Sequence, residues 1–380
     1  MWHKLLKGAA AMKFRNLLAA VLVTAAWVSA GAQPLGLPPV PIPADNPQTP
    51  EKIALGDRLF HDTRFSADGK VSCATCHEQS KGFTDNLPVS EGFNSLTGTR
   101  NAPTVLNSAY FTTLFWDGRE PDLEGQSKQP PINPVEGGLP NHAPILAVIR
   151  SDSEYVTSFD AVFDVAATAI TMEHVSKAIA SFERTVIAGD SPFDRYYYGG
   201  ESDAMTAEQI RGLDVFINKG RCVSCHTIEQ TQALFTDNRF HNIGVGFKQI
   251  GGKEYETAEQ FIKSKRQGVD VDIAVLTSKN VSELGRFAVT ENITEVGAFK
   301  TSTLRNIDQT EPYMHDGSLA TLEDVVDFYN NGGRDKDTDP LSGFQSGGIR
   351  PLNLTDDEKE ELVAFMQALT SPDLEQFTDR

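Results

Sequence analysis

All four cysteines of this chain fall into two copies of one pentad, Cys73-Ala-Thr-Cys76-His77 and Cys222-Val-Ser-Cys225-His226. C-x-x-C-H is the attachment pattern of c-type haem: both thiols bond to the porphyrin edge and the adjoining histidine reaches the iron. Two disulfides, a zinc site or a thioredoxin-like pair would also use cysteines. Disulfides, however, do not require a histidine after each pair, and a redox pair does not require the arrangement twice. The pattern therefore predicts two covalent c-type haems. The wide separation of the pentads predicts a mainly α fold with two cytochrome c-like domains, residues 33–195 and 196–380, each carrying one haem. Asp190-Ser-Pro-Phe-Asp194 and the glycines at 199 and 200 mark the boundary.

A helical pattern precedes each pentad. Thr49-Pro50 starts a helix carrying Ile53, Leu55, Leu59 and Phe60 on one face. Thr206 and Gln209 form a capping box ahead of Ile210, Leu213, Phe216 and Ile217. Further helices are expected over Thr171–Ala188, Thr321–Tyr329 and Thr355–Leu369. Residues 246–285, rich in glycine, lysine and glutamate, read as a surface excursion.

Residues 1–32 read as a removable secretory signal. Lys4, Lys7, Lys13 and Arg15 form a basic start, Leu17 to Val28 an apolar stretch, and Ala30-Gly31-Ala32 a small-residue cleavage site. The apolar stretch is short of the roughly 20 residues of a spanning helix. The expectation is a periplasmic protein with no membrane span after signal removal. With 52 acidic against 34 basic residues and a net charge of −18, the chain lacks the basic footprint of a nucleic-acid binder.

Carrier cytochromes usually close both axial positions of the iron, often with His and Met. Beyond the signal, the methionines are Met172, Met205, Met314 and Met366, and the non-pentad histidines are His61, His142, His174, His241 and His315. Met172 and Met366 sit on helical patterns and read as core. Met314 and His315 stay open as ligands. By composition alone, Trp116 reads as a core or interface aromatic, Glu136 as a solvated loop residue and Tyr329 as a core residue.

Several segments in order resemble the bacterial dihaem cytochrome c peroxidase superfamily. They are Arg100-Asn-Ala-Pro-Thr104, Phe115-Trp-Asp-Gly-Arg119, Asn133-Pro-Val-Glu136, Phe240-His-Asn-Ile-Gly244, Leu304-Arg-Asn306 and Pro312-Tyr-Met-His-Asp-Gly317. Two departures resemble the MauG-type branch. Ser90 to Arg100 contains no histidine, Phe93 standing where ordinary peroxidases carry a ligand to the N-terminal haem. Tyr329 stands where they carry a methionine ligand to the C-terminal haem.

The resemblance implies an N-terminal haem open to hydrogen peroxide, with Glu136 moving the proton, Gln126 orienting and Pro130 walling the vacant iron position. It implies Tyr329 as a ligand of the second iron, Trp116 as the link between haems, and a calcium held by Asn101, Thr310 and Pro312. His241, His315 and Arg305 are expected at haem propionates or the domain interface. Where the branch carries a surface tryptophan before its second pentad, this chain has Asn218-Lys-Gly-Arg221. Three uses follow: peroxide reduction with electrons from a small cytochrome c or cupredoxin, oxidation of a residue on an exported partner protein, or electron carriage without chemistry.

Overall fold

The computed structural model describes residues 33–333, 343–372 and 374; the expected signal, residues 1–32, lies outside them. The chain is mainly helical, and the strands among the described residues are Phe240–His241 and Phe299–Lys300. These pair antiparallel, with Phe240 opposite Lys300 and His241 opposite Phe299. No helix among the described residues is long and apolar enough to cross a membrane.

The helix Pro50–Phe60 starts where its cap requires: the Thr49 hydroxyl accepts from the Lys52 amide, with proline in the first turn. It crosses the helix Met172–Glu183 so closely that a Cβ on Gly56 would lie 1.9 Å from the Ala178 carbonyl oxygen. The second half repeats the device. The helix Ala207–Ile217, opened by the reciprocal Thr206–Gln209 box, crosses Asp356–Gln367, and a Cβ on Gly212 would lie 1.9 Å from the Glu361 carbonyl oxygen. Only glycine at each crossing lets the backbones meet.

Backbone conformation repeats as well. Phe83 and Phe235, Asn107 and Asn306, and Phe115 and Met314 all have φ between 51° and 77°. The turn Phe115-Trp116-Asp117-Gly118 thus corresponds to Met314-His315-Asp316-Gly317. Each closes an isolated bridge, Leu114 to Glu120 and Tyr313 to Leu319.

Among the described residues the body holds three large apolar cores and a small cluster of Leu114, Leu123 and Ala180. One gathers Leu55, Phe60, Phe159, Ile179 and Val186; a second gathers Phe193, Phe216, Phe235, Leu362 and Phe365. The third corrects the expectation for 246–285. That stretch holds the helices Glu254–Arg266 and Val271–Thr277, and Phe247, Phe261, Val275, Leu284 and Phe287 bury a core of their own. Its lysines and most of its glutamates lie toward the outer face, while Glu283 is buried.

The segment at 190–200 is tied down. Asp194, in the helix Pro192–Tyr197, pairs with Arg305 through Nη1 at 2.8 Å and Nη2 at 2.9 Å. Arg305 also donates to the carbonyls of Gly36 and Ala233, so it clamps three strands of chain and lines neither cavity described below. Of the two places expected for it, Arg305 lies where the segments expected to form the two domains meet, and it does not line a haem cavity.

Candidate haem sites and the wall between them

In each pentad the histidine is oriented by a backbone carbonyl. His77 Nδ1 lies 3.1 Å from the Phe83 oxygen and His226 Nδ1 lies 2.9 Å from the Phe235 oxygen. A carbonyl only accepts, so Nδ1 carries the hydrogen and Nε2 keeps its lone pair, the state a metal ligand needs. Both phenylalanines are buried and in the left-handed region, a strain of about 1–3 kcal/mol that holds each carbonyl where the ring requires it. Burial pushes both imidazoles below the ordinary histidine value, which keeps them neutral.

Cys73, Cys76 and His77 line a cavity of about 170 Å³. Trp116, Gln126, Pro130 and Glu136 line the same cavity, so the candidates drawn from the resemblance come together there. Gln126 ends a single helical turn, Leu123–Gln126, capped by Asp122. Glu136 sits on a turn held by Asn133, whose carbonyl accepts from the Glu136 amide at 3.1 Å. Its own carbonyl accepts from Phe93 N at 2.6 Å. Phe93 packs over Gly138 and is not in the lining. Glu136 Oε2 is buried without a hydrogen-bond partner. Burial, then the charge of Asp272, pushes its carboxyl up to about 8 against the opposing pull of Arg119.

Among the lining residues that sequence reasoning missed, Glu183 and Leu276 stand out. Glu183, at the end of its helix, is buried with Oε2 unpartnered, and burial pushes it to about 8. Leu276 comes from the 246–296 lobe. A buried acid at a helix end and a leucine in a polar-looking segment carry no local signal.

Cys222, Cys225 and His226 line a second cavity of about 530 Å³ together with Tyr329, Met314, His315 and Met366. Tyr329 lies on the helix Leu322–Asn330, whose Leu322 and Val326 are buried in the second core. Burial, then the nearby Cys222 and Cys225, raises its phenol above the ordinary tyrosine value. His315 is buried, stacks on Phe299 with ring centroids 3.6 Å apart and pairs with Glu283 at 3.0 Å. His241 lines the cavity and pairs with Asp237 at 2.8 Å. Lys300, with an acceptor in the Thr113 carbonyl at 3.0 Å, is lowered by burial to about 7.

Asn101 to Thr104 and Leu114 to Trp116 line both cavities and form a shared wall. Trp116 is fixed from two sides: its Nε1 donates to the Asn101 carbonyl at 2.9 Å and its carbonyl accepts from Lys300 N at 2.8 Å. Asn101 N donates in turn to the His315 carbonyl at 2.8 Å. Asn101, Thr310 and Pro312 all lie on the second cavity's lining, and the Asn101 Nδ2 donates to the Leu87 carbonyl.

The donor sets fit two c-type haems. No disulfide engages the four thiols, burial pushes Cys73, Cys76 and Cys222 up to about 12, and each pair opens on an apolar cavity beside a neutral, oriented histidine.

Residues 50–202 match the family model described as di-haem cytochrome c peroxidase. The chain is 36% identical over 370 residues to cytochrome-c peroxidase IdrP1 of Denitromonas iodatirespirans, covering 93% of this chain and 92% of that one. It is 36% identical over 330 residues to methylamine utilization protein MauG of Methylorubrum extorquens, covering 87% and 81%. The crystal structure of a MauG-like protein associated with microbial copper homeostasis superposes with a TM-score of 0.75 at 34% identity, covering 90% of this chain and 96% of that one. Two c-type haems are consistent with that kinship. On this sequence kinship and shared fold, the chain belongs to the di-haem cytochrome c peroxidase and MauG family of oxidoreductases.

Proposed function

We propose that the enzyme reduces hydrogen peroxide at the first cavity and receives electrons through the second. Glu136 carries this reading: a buried carboxyl with an unpartnered oxygen, on the same cavity as Cys73, Cys76 and His77. Reduction of peroxide to two waters consumes two electrons and two protons. A haem held by Cys73, Cys76 and His77 supplies the iron position that binds peroxide and the redox chemistry of O–O cleavage. Glu136, protonated near neutral pH, releases a proton from one carboxyl oxygen and accepts one at the other, so it relays protons between the two peroxide oxygens. Gln126 orients the bound peroxide and Pro130 limits the space over the cavity. The absence of histidine from Ser90 to Arg100 supports an open site there, and Phe93 packs away from it.

At the second cavity, Cys222, Cys225, His226 and Tyr329 hold the other haem, and Trp116, lining both cavities, couples the two. Two cytochrome c-like domains, 33–195 and 196–380, accord with the duplicated helix crossings and turns. The electron source is a small cytochrome c or cupredoxin, or an exported protein that is itself oxidised, with the chain acting in the periplasm. A calcium at the Asn101 side chain and the Thr310 and Pro312 carbonyls would brace the wall between the sites. Metal analysis checks it: Asn101→Ala should lose one bound calcium that the wild type retains through gel filtration.

The decisive test is Glu136→Gln. Stopped-flow mixing with peroxide should show a rate lower by roughly 10²–10⁴-fold with both haems still attached. An unchanged rate refutes the role of Glu136.

A further inference from the structure

The lobe at residues 246–296 reaches the first cavity from far along the chain. Its helix Val271–Thr277 presents Leu276 to the cavity lining and Asp272 to the residues behind Glu136. Asp272 is buried and fully engaged: Oδ1 accepts from Arg119 Nε at 2.8 Å and Nη2 at 2.5 Å, and Oδ2 accepts from Asn133 Nδ2 at 2.5 Å. Asn133 is the pivot of the Glu136 turn. Its Oδ1 accepts from Val135 N at 3.1 Å, and its carbonyl accepts from Glu136 N at 3.1 Å and Gly138 N at 2.8 Å. Arg119 is held on its other side by Asp117 at 3.0 Å, and Arg100 Nη1 lies 3.5 Å from Asp117. The lobe is pinned in place independently, since Arg100 Nε donates to Ser282 Oγ at 2.7 Å and Thr99 Oγ1 donates to the Val275 carbonyl at 2.6 Å.

We propose that Asp272 is a positioning residue for Glu136: it anchors, through Asn133, the turn that carries Glu136, and it supplies the negative charge that Glu136 faces. The inference rests on Glu136 as the proton-relaying group. Asp272, Arg119 and the thiols of Cys73 and Cys76 act on Glu136 by charge, the thiols being consumed as thioethers when haem is attached, and His77, Arg100 and Glu183 line the same cavity. Burial is the larger reason that Glu136 keeps its proton; the Asp272 charge adds to it and offsets the opposing pull of Arg119. The lobe therefore tunes the first site, although the sequence suggests only a solvated excursion.

The test uses the dihaem holoprotein. The pH profile of the peroxide reaction should carry a limb from Glu136 near pH 8, and infrared titration should show its protonated carboxyl band fading over the same range. Asp272→Asn keeps the shape and removes the charge, and both readouts should move to lower pH by about one unit. Asp272→Glu keeps the charge on a longer arm, so the limb should stay in place while the rate falls as the Asn133 turn is displaced. Circular dichroism and haem content check that both variants fold; if the asparagine variant does not, the glutamate variant decides. A slower Asp272→Asn enzyme with limb and band unmoved, or an Asp272→Glu limb displaced by a full unit, overturns the proposal. Failure of the underlying reading is distinct: there, Glu136→Gln would lose the Glu136 carboxyl band but leave limb and rate as in the wild type.

Discussion

Replacing Gly56 by alanine sets two effects of known size against each other. Alanine favours a helix interior over glycine by about 1 kcal/mol, so an unobstructed site would be stabilised. Here the new Cβ would meet the Ala178 carbonyl oxygen at 1.9 Å, its carbon at 2.7 Å and Phe182 Cβ at 2.9 Å. Two of those three atoms are backbone, so no rotamer change relieves the contact and the helices must separate. Overpacking of this kind costs about 1–3 kcal/mol, and a backbone obstruction belongs at the upper end. Separation by roughly 1 Å also forfeits a quarter to a half of the dispersion between the facing side chains. The net expectation is a loss of about 2 kcal/mol. Gly212→Ala should lose a similar amount, because its Cβ would meet Glu361 O at 1.9 Å and Phe365 Cβ at 2.7 Å. The two crossings belong to separate cores, so the double variant should lose the sum. Gly348, with open space around it, provides the control, expected within about 0.5 kcal/mol. Urea denaturation of the holoprotein followed by far-ultraviolet circular dichroism gives all four numbers. A Gly56→Ala protein as stable as the wild type, or more so, would refute the close crossing.

The remaining expectations concern the cavities. Glu183 has its folded value raised to about 8 against an unfolded value near 4.5, so its stabilising effect is complete below pH 4.5 and is lost as pH rises through 8. Between those limits the wild type should lose several kcal/mol more stability than Glu183→Gln; parallel curves would show that Glu183 is not buried as an acid. Tyr329→Met replaces a hard oxygen donor by a soft thioether, so potentiometric titration should show a higher potential at the second haem and an unchanged one at the first. An unaltered second potential would make Tyr329 a packing residue.

Much of this was legible because it is local. The pentads are contiguous, and Thr49 and Thr206 cap the helices they announce. What was not legible is set by long-range contacts. The helix expected over Thr171–Ala188 ends at Glu183. There Arg184 turns aside to grip Glu124 with two hydrogen bonds of 2.7 Å, and no local pattern foretells a partner sixty residues away. The helices Ala143–Ser151 and Ser153–Phe163 meet at Asp152, which ends one and caps the next, so no loop composition separates them in the sequence. The lobe around Asp272 was read from its charged outer face, while Ala258 and Phe261, the residues that bury it, are sparse in the sequence. The repeat holds in backbone geometry throughout, and in side chains at Phe83 and Phe235, Asn107 and Asn306, and Asp117 and Asp316, but Phe115 and Trp116 give way to Met314 and His315.

The buried thiols bear on the order in which this protein is made. A cysteine attacks as its thiolate, and in the folded chain Cys73, Cys76 and Cys222 titrate near pH 12, leaving almost none reactive at neutral pH. The cavity walls also come from opposite ends of the chain: Leu59 and Leu276 meet at one site, Thr84 and Met366 at the other. Neither pocket exists until nearly the whole chain has been synthesised and closed. Attachment to a chain still open, where the thiols ionise more readily, is therefore favoured over attachment to a closed one, and the folded body then grows around its own prosthetic groups.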